Sequence, residues 1–167
     1  MISLYGCGFI GSKFKEMYDS QVEIQSREER VPKNNDILYM ISTTDNYNVH
    51  ENITLDVETN LKVLCEVLNF CRSKDITFNF VSSWFVYGQG ILPAKEDSNC
   101  NPNGFYSITK LCAENLIKSF ANTYGMNYRI LRLCNVLGPS DHNRSRKKNA
   151  IGWMIDELKA NRNIKLY

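Results

Sequence analysis

Short apolar runs alternate with stretches of helical periodicity along this whole chain, and that alternation leaves few folds open. Residues 2–5 form an apolar run, and Ile10, Phe14, Met17 and Tyr18 then recur at helical spacing. Residues 21–25 alternate Val22 and Ile24 with polar neighbours, as a short strand does. Residues 37–41 are continuously apolar, which suits a strand buried on both faces. Leu61, Leu64, Cys65, Leu68 and Cys71 mark one face of a long helix, and residues 76–81 read as the next strand. Ile108, Leu111, Cys112, Leu116, Ile117 and Phe120 give a further helix, residues 128–133 a strand, and Ile151, Met154, Ile155 and Leu158 a last helix. The polar stretch 26–35, with Pro32, and the segment 88–103 read as loops. There are no internal repeats and no low-complexity tracts. The expected architecture is α/β: a doubly wound parallel sheet, built from right-handed crossovers, with helices on both faces. Such sheets bind ligands beyond the C-terminal ends of their strands. The residues of interest should therefore follow strands.

At 167 residues the chain is read as one domain, residues 1–167, with enough length for a substantial core. No apolar stretch approaches the roughly 20 residues that span a bilayer. The start, Met1-Ile2-Ser3-Leu4-Tyr5-Gly6, lacks the basic flank and cleavage site of a signal peptide. The expectation is a soluble, cytoplasmic protein with no membrane partner. Of the six cysteines, Cys7, Cys65, Cys112 and Cys134 sit among apolar residues, and none of the six forms a C-x-x-C pair. They read as small buried thiols in a reducing compartment, and no metal site is expected. A net charge of +2 gives no argument for nucleic acid. Locally, Arg144, Arg146, Lys147 and Lys148 are either a solvated loop or a phosphate contact.

Gly6-Cys7-Gly8-Phe9-Ile10-Gly11 is G-x-G-x-x-G directly after a strand and at the opening of a helix. The first glycine allows a tight turn, the second lets backbone approach a pyrophosphate, and the third lets helix pack on strand. The N–H groups and dipole of the helix terminus favour the negative phosphates. The alternative is a packing turn without ligand. Cofactor preference should be set after the second strand, where Ser26 and Arg27 suit the 2′-phosphate of NADP better than the bare ribose of NAD. Glu28, turned inward, would reverse that preference.

Tyr106 and Lys110 lie four residues apart, on one face of a helix. A phenol with a pKa of about 10 is a poor base at neutral pH. An adjacent ammonium, helped by a nicotinamide cation, is expected to draw that pKa downward. Tyr106 would then exchange a proton with a sugar hydroxyl. Ser83, at the end of a strand, would hydrogen-bond the reacting oxygen, or else merely terminate the strand with turn chemistry.

Taken together, these motifs resemble the extended short-chain dehydrogenase/reductase family, which includes NAD-dependent nucleotide-sugar epimerases, dehydratases and reductases. Gly8-Phe9-Ile10-Gly11 is similar to its G-F-I-G, and residues 82–88, Ser-Ser-Trp-Phe-Val-Tyr-Gly, to its S-S-x-x-V-Y-G. Tyr106 to Lys110, with Glu114 beyond, resembles Y-x-x-S-K-x-x-x-E, and residues 131–139 resemble L-R-x-x-N-V-Y-G-P. The resemblance implies a Rossmann fold and a catalytic Ser83, Tyr106 and Lys110, with Lys110 also holding the nicotinamide ribose. It implies that Gly6, Gly8, Phe9, Ile10, Gly11, Ser26, Arg27, Asn60, Tyr106 and Lys110 bind the cofactor, NAD or NADP. It places Ser83, Trp84, Phe85 and Asn135 against a nucleotide-linked sugar, and it suggests a homodimer through the helix carrying Tyr106 and the helix before it.

Departures from the family pattern sharpen the expectation. Tyr5 stands where the turn usually has a further glycine. Residues 28–35 are too few for the usual extra helix and strand, which should open the adenine pocket. Phe85 transfers no proton, which disfavours dehydration and decarboxylation. The family segment that residues 151–167 resemble normally leads into a substrate-covering C-terminal domain, which is absent here, so either a truncated fragment or a natural short form is expected. The reading is a nucleotide-sugar epimerase, with an NADPH-dependent keto-sugar reductase as the alternative. A reading of another class is a non-catalytic dinucleotide sensor, against which both Tyr106 and Lys110 are retained.

Overall fold

Five parallel strands make one sheet in the order β2-β1-β3-β4-β5, where β1 is Ile2–Tyr5, β2 Val22–Ile24, β3 Asp36–Tyr39, β4 Thr77–Ser83 and β5 Asn127–Leu133. The computed structural model describes residues 1–44, 48–72, 75–89, 93–138, 141 and 149–165. The basic residues Arg144, Arg146, Lys147 and Lys148, and Pro139 of the last motif, lie outside the described residues. The chain divides into two compact units, Met1–Cys134 and Asn135–Tyr167.

The first unit holds the whole sheet. β2 and β3 pair on opposite sides of β1, with Leu4 opposite Ile24 on one side and Leu38 on the other. The order in which strands are added therefore reverses at β1, and the crevice above that point is where such sheets take ligands. Residues 26–35 contain no further helix or strand, as their length implies.

Both faces of the sheet are covered. On one, Tyr5, Ile37, Tyr39, Phe78 and Phe80 pack against Leu64, Val67 and Leu68 of α3 (Val63–Asn69) and against Ala113 and Ile117 of α4 (Phe105–Tyr124). On the other, Leu4, Val22 and Leu38 pack with Phe14 of α1 (Phe9–Met17). Each fully buried large side chain contributes about 2 kcal/mol by removal from water. Tyr5, which replaces a small residue of the family turn, has its ring 5.8 Å from that of Tyr39 in the first cluster. It is fully buried, so it fills core and the turn still forms after it.

The long helix expected around Leu61 and Leu64 forms, but with a wide turn inside it that periodicity does not reveal. The short helix α2 (Leu55–Val57) passes into a π-helical turn, Glu58–Lys62, and then directly into α3. Asn60 lies in the π turn and is buried. Wide turns of this kind re-aim a side chain and concentrate at functional sites. α4 ends at Gly125, whose left-handed backbone, φ 70°, closes the last turn.

The expectation of buried thiols fails for most of the cysteines. All six are free, but Cys7, Cys65, Cys112 and Cys134 are exposed, Cys100 is half-buried, and only Cys71 belongs to the core. Apolar neighbours in sequence do not fix a face. Cys65 and Cys112 each adjoin a buried residue, Leu64 and Ala113, and the 100° turn per residue carries the thiol outward.

In the second unit, α5 (Ala150–Lys159) is capped by Asn149, whose side chain accepts from the Gly152 N–H at 3.0 Å. Among the described residues no helix is long and apolar enough to cross a membrane.

Candidate active site

The three glycines of the turn do three different things. Gly6 has φ +95°, and a Cβ there would meet the Met40 carbonyl carbon and the Ile41 nitrogen at 2.8 Å. It therefore allows the chain to leave β1 tightly, beside β3. A Cβ on Gly11 would stand 2.2 Å from the Gly6 carbonyl oxygen, so Gly11 lets α1 close against the strand. Around Gly8 nothing lies within 4 Å of the same point. Gly8 is also the N-cap of α1, with no side chain capping the helix start. Open space over a glycine, next to uncapped N–H groups at a helix terminus, is a cradle suited to the phosphates of a dinucleotide. Phe9 and Ile10, in the first turn of α1, are half-buried.

The second half of the site forms where α4 crosses the end of β4. The Tyr106 hydroxyl shares hydrogen bonds with the hydroxyls of Ser83, the last residue of β4, and Ser42, just past β3. Phe85 meets the Tyr106 ring edge-on at 6.3 Å and stacks on Trp84 at 4.6 Å, so an aromatic shelf, with Phe85 38% exposed, borders the phenol. The Ser83 oxygen also accepts from the Phe85 N–H at 3.3 Å, which caps the 3-10 turn Trp84–Tyr87. One turn along α4, Lys110 is buried, with Nζ donating to the Val81 carbonyl at 2.6 Å and lying 4.5 Å from the centroid of the Phe80 ring.

The expected electrostatics of the pair are corrected here. Burial raises the Tyr106 phenol above its ordinary pKa and outweighs its hydrogen bonds with Ser83 and Ser42, while the Asp56 charge adds to the rise. Lys110 does not draw the phenol down: its amine points at the Val81 carbonyl, and burial pushes its own pKa down to about 7 against the opposing charge of Glu114. Tyr106 is thus a neutral phenol at neutral pH, one helical turn from an amine whose pKa is about 7.

Ser42, Thr43, Asp56 and Thr109, none of them marked by a sequence motif, complete this corner around Asn60. Ser42 donates to Asn60 Oδ1 at 3.0 Å, and the Thr43 N–H donates to the same oxygen at 2.8 Å. Asn60 Nδ2 in turn donates to the hydroxyls of Thr43 and Thr109, each at 2.9 Å, and the Thr109 hydroxyl donates to the Tyr106 carbonyl. The Thr43 hydroxyl also bonds the buried Asp56 carboxylate. Asn60 thus joins the end of β3 to the turn carrying Tyr106, and its amide is fully engaged within the protein. Ser42 follows β3 as Ser83 ends β4. The rule that ligands sit beyond strand ends was the available signal for it.

The remaining expected residues are separately placed. Ser26 and Arg27 are exposed just past β2, where the Arg27 carbonyl accepts from Arg30 Nη1 at 2.6 Å. Arg30 is itself tied to Glu66 of α3 at 2.6 Å. Asn135 is exposed and belongs to the second unit.

Comparison with known proteins identifies the family and the fold. The model of the NAD dependent epimerase/dehydratase family matches residues 8–167. A putative UDP-glucose 4-epimerase from Methanocaldococcus jannaschii is 32% identical over 114 residues, 66% of this chain and 37% of its own length. The chain thus spans little more than a third of that relative. Among solved structures, UDP-glucuronic acid 4-epimerase from Bacillus cereus, in complex with UDP-glucuronic acid and NAD, superposes with a TM-score of 0.79 at 19% identity, covering 99% of this chain and 65% of its own. RMD from Pseudomonas aeruginosa, complexed with NADPH, gives a TM-score of 0.75 at 21% identity, covering 85% and 55%. At these identities the structural matches show a shared Rossmann-like fold. With the family match running from the second half of the glycine turn to the last residue, the chain is a member of the NAD dependent epimerase/dehydratase family.

Proposed function

We propose that this protein is a nucleotide-sugar epimerase that works with a bound nicotinamide dinucleotide, and that Ser83, Tyr106 and Lys110 carry its chemistry. The observation that supports this most is the Tyr106 hydroxyl held between Ser83 and Ser42, one helical turn from a buried lysine. The dinucleotide would supply the hydride acceptor and donor. Gly8 and the first turn of α1, with Phe9 and Ile10, would hold its pyrophosphate between Gly6 and Gly11, and Lys110 would hold the nicotinamide ribose. Tyr106 exchanges a proton with a sugar hydroxyl that Ser83 orients, while Asn60 keeps Ser42 in place. Trp84 and Phe85 give the sugar an apolar wall, and the motif that holds Asn135 makes that residue a candidate contact for the nucleotide-sugar.

Exposed Ser26 and Arg27 favour NADP over NAD, and with it the second reading, an NADPH-dependent keto-sugar reductase. A second copy of the chain is the proposed partner. Phe105, Ile108 and Leu116, with Cys112 between them, form an exposed apolar stripe on α4.

The test is to titrate the purified protein with NADH and NADPH, and then to follow UDP-glucose, UDP-galactose and a UDP-4-keto-sugar by NMR. Interconversion without net cofactor consumption supports the epimerase, and stoichiometric loss of NADPH the reductase. Absence of affinity for both nucleotides defeats both.

A further inference from the structure

Three side chains spaced one turn apart along α4 meet the last three residues of β4. Tyr106 bonds Ser83, Lys110 donates to the Val81 carbonyl, and the Glu114 carboxylate accepts from the Ser82 hydroxyl at 2.6 Å. The third contact continues outward. Arg132 of β5 grips Glu114 with both prongs, Nε to Oε1 at 3.0 Å and Nη2 to Oε2 at 2.8 Å. Its guanidinium lies 4.7 Å from the Tyr87 ring centroid, and Nη1 donates to the Glu96 carbonyl at 3.2 Å. Glu114 has no exposed surface, and the Arg132 side chain is only 14% exposed.

A buried ion pair is a weak device for stability alone, because desolvation of both ions offsets their attraction. Apolar residues of the same volume would hold helix on sheet as well. They would not accept the Ser82 proton, nor set a negative charge one turn from an amine. We propose that Glu114 is a positioning residue of the active site: its carboxylate fixes the Ser82–Ser83 end of β4 against α4 and holds a negative charge beside Lys110, which keeps Ser83, Tyr106 and Lys110 in register. This rests on the reading that those three residues perform the chemistry.

Among the described residues, the charged or titratable groups facing this corner include Glu114 and Tyr106 on the same helix, Arg132 on β5 with Tyr87 and Cys100 against it, and Asp56 on α2, which acts through Tyr106. β4 contributes the Phe80 ring and the Val81 carbonyl. Glu114 is the charge that opposes the effect of burial on Lys110.

The test uses the protein labelled at lysine 13Cε, with the Lys110 signal identified by its loss in Lys110→Met. That signal is titrated across the neutral and alkaline range in wild type, in Glu114→Gln, and in Glu114→Gln/Arg132→Met, which removes the guanidinium left without its partner. The expected result is a midpoint lower by roughly one pH unit in each variant, about tenfold in proton affinity. The double variant should melt near the wild-type temperature, and Glu114→Asp, which keeps the charge, should hold the wild-type midpoint. An unchanged Lys110 midpoint in the folded variants overturns the inference. So does loss of the fold in both, since Glu114 would then be an element of the fold alone. A shifted midpoint in a protein with no dinucleotide affinity supports the positioning of Lys110 by Glu114 while defeating the proposed function.

Discussion

The Gly6 carbonyl oxygen lies 2.2 Å from where a Cβ on Gly11 would stand, so the two ends of the glycine turn are in contact and the middle is not. This separates fold from ligand. Gly11→Ala should force strand and helix apart and cost about 1–3 kcal/mol, as overpacking does. Gly8→Ala, with nothing within 4 Å of its Cβ, loses only the better N-cap and should cost about 1 kcal/mol or less, yet weaken dinucleotide binding by roughly tenfold or more. Denaturant melts and nucleotide titration of the two variants check this. Equal effects on both properties would contradict it.

Tyr106→Phe keeps the ring against Phe85 and removes the hydroxyl shared with Ser83 and Ser42. Turnover should fall by about a hundredfold or more, the share that a positioned acid–base group contributes. Affinity for the dinucleotide should stay within a few-fold. Steady-state rates and a binding isotherm on the same preparation decide it.

Lys110 gives the protein a pH dependence with a definite sign. Its pKa is pushed from 10.5 in the open chain to about 7 by burial. Between those values the unfolded chain carries the proton and the folded chain does not, so stability rises with pH across that window. Below about pH 7 both states are protonated, and the cost of burying the ammonium is fully present. Lys110→Met should therefore be the more stable protein at pH 6, by on the order of a few kcal/mol, and should lose that advantage towards pH 10. Urea melts of both proteins across the range measure it. A stability difference independent of pH would show that the lysine keeps an ordinary affinity for its proton.

Arg27 is exposed, and its side chain is available to a 2′-phosphate. Arg27→Ala should lower NADPH affinity about tenfold, leave NADH affinity unchanged, and leave stability unaffected. Competition titrations with the two nucleotides read this directly. Equal losses for both would remove the argument for NADP.

Much of this was written in the sequence, and the reasons are local. The glycine turn was legible because its three glycines have a fixed spacing next to an apolar strand; Gly6 and Gly11 meet steric demands there, and Gly8 leaves its space open. The parallel sheet covered on both faces followed from the alternation of strand and helix patterns, whereas the order β2-β1-β3-β4-β5 is set by which strands pair. Tyr106 and Lys110 were paired by helical spacing alone. What was not legible depends on contacts between distant elements. Ser42, Asn60 and Thr109 come together only because the π turn carries Asn60 between β3 and α4. The upward shift of the Tyr106 pKa depends on its depth of burial and on Asp56, fifty residues earlier in the chain, neither of which spacing reveals. The exposed cysteines were misread because composition was taken for orientation.

The central claim is that a nicotinamide dinucleotide spans the sheet from the α1 terminus to Tyr106, and a structure of the protein in complex with NADPH or NADH tests it most directly. The account predicts the pyrophosphate over Gly8 and the nicotinamide ring within about 4 Å of the Tyr106 hydroxyl, as hydride and proton transfer at one sugar carbon requires. A dinucleotide bound elsewhere, or one whose nicotinamide lies away from Tyr106 and Ser83, would contradict it.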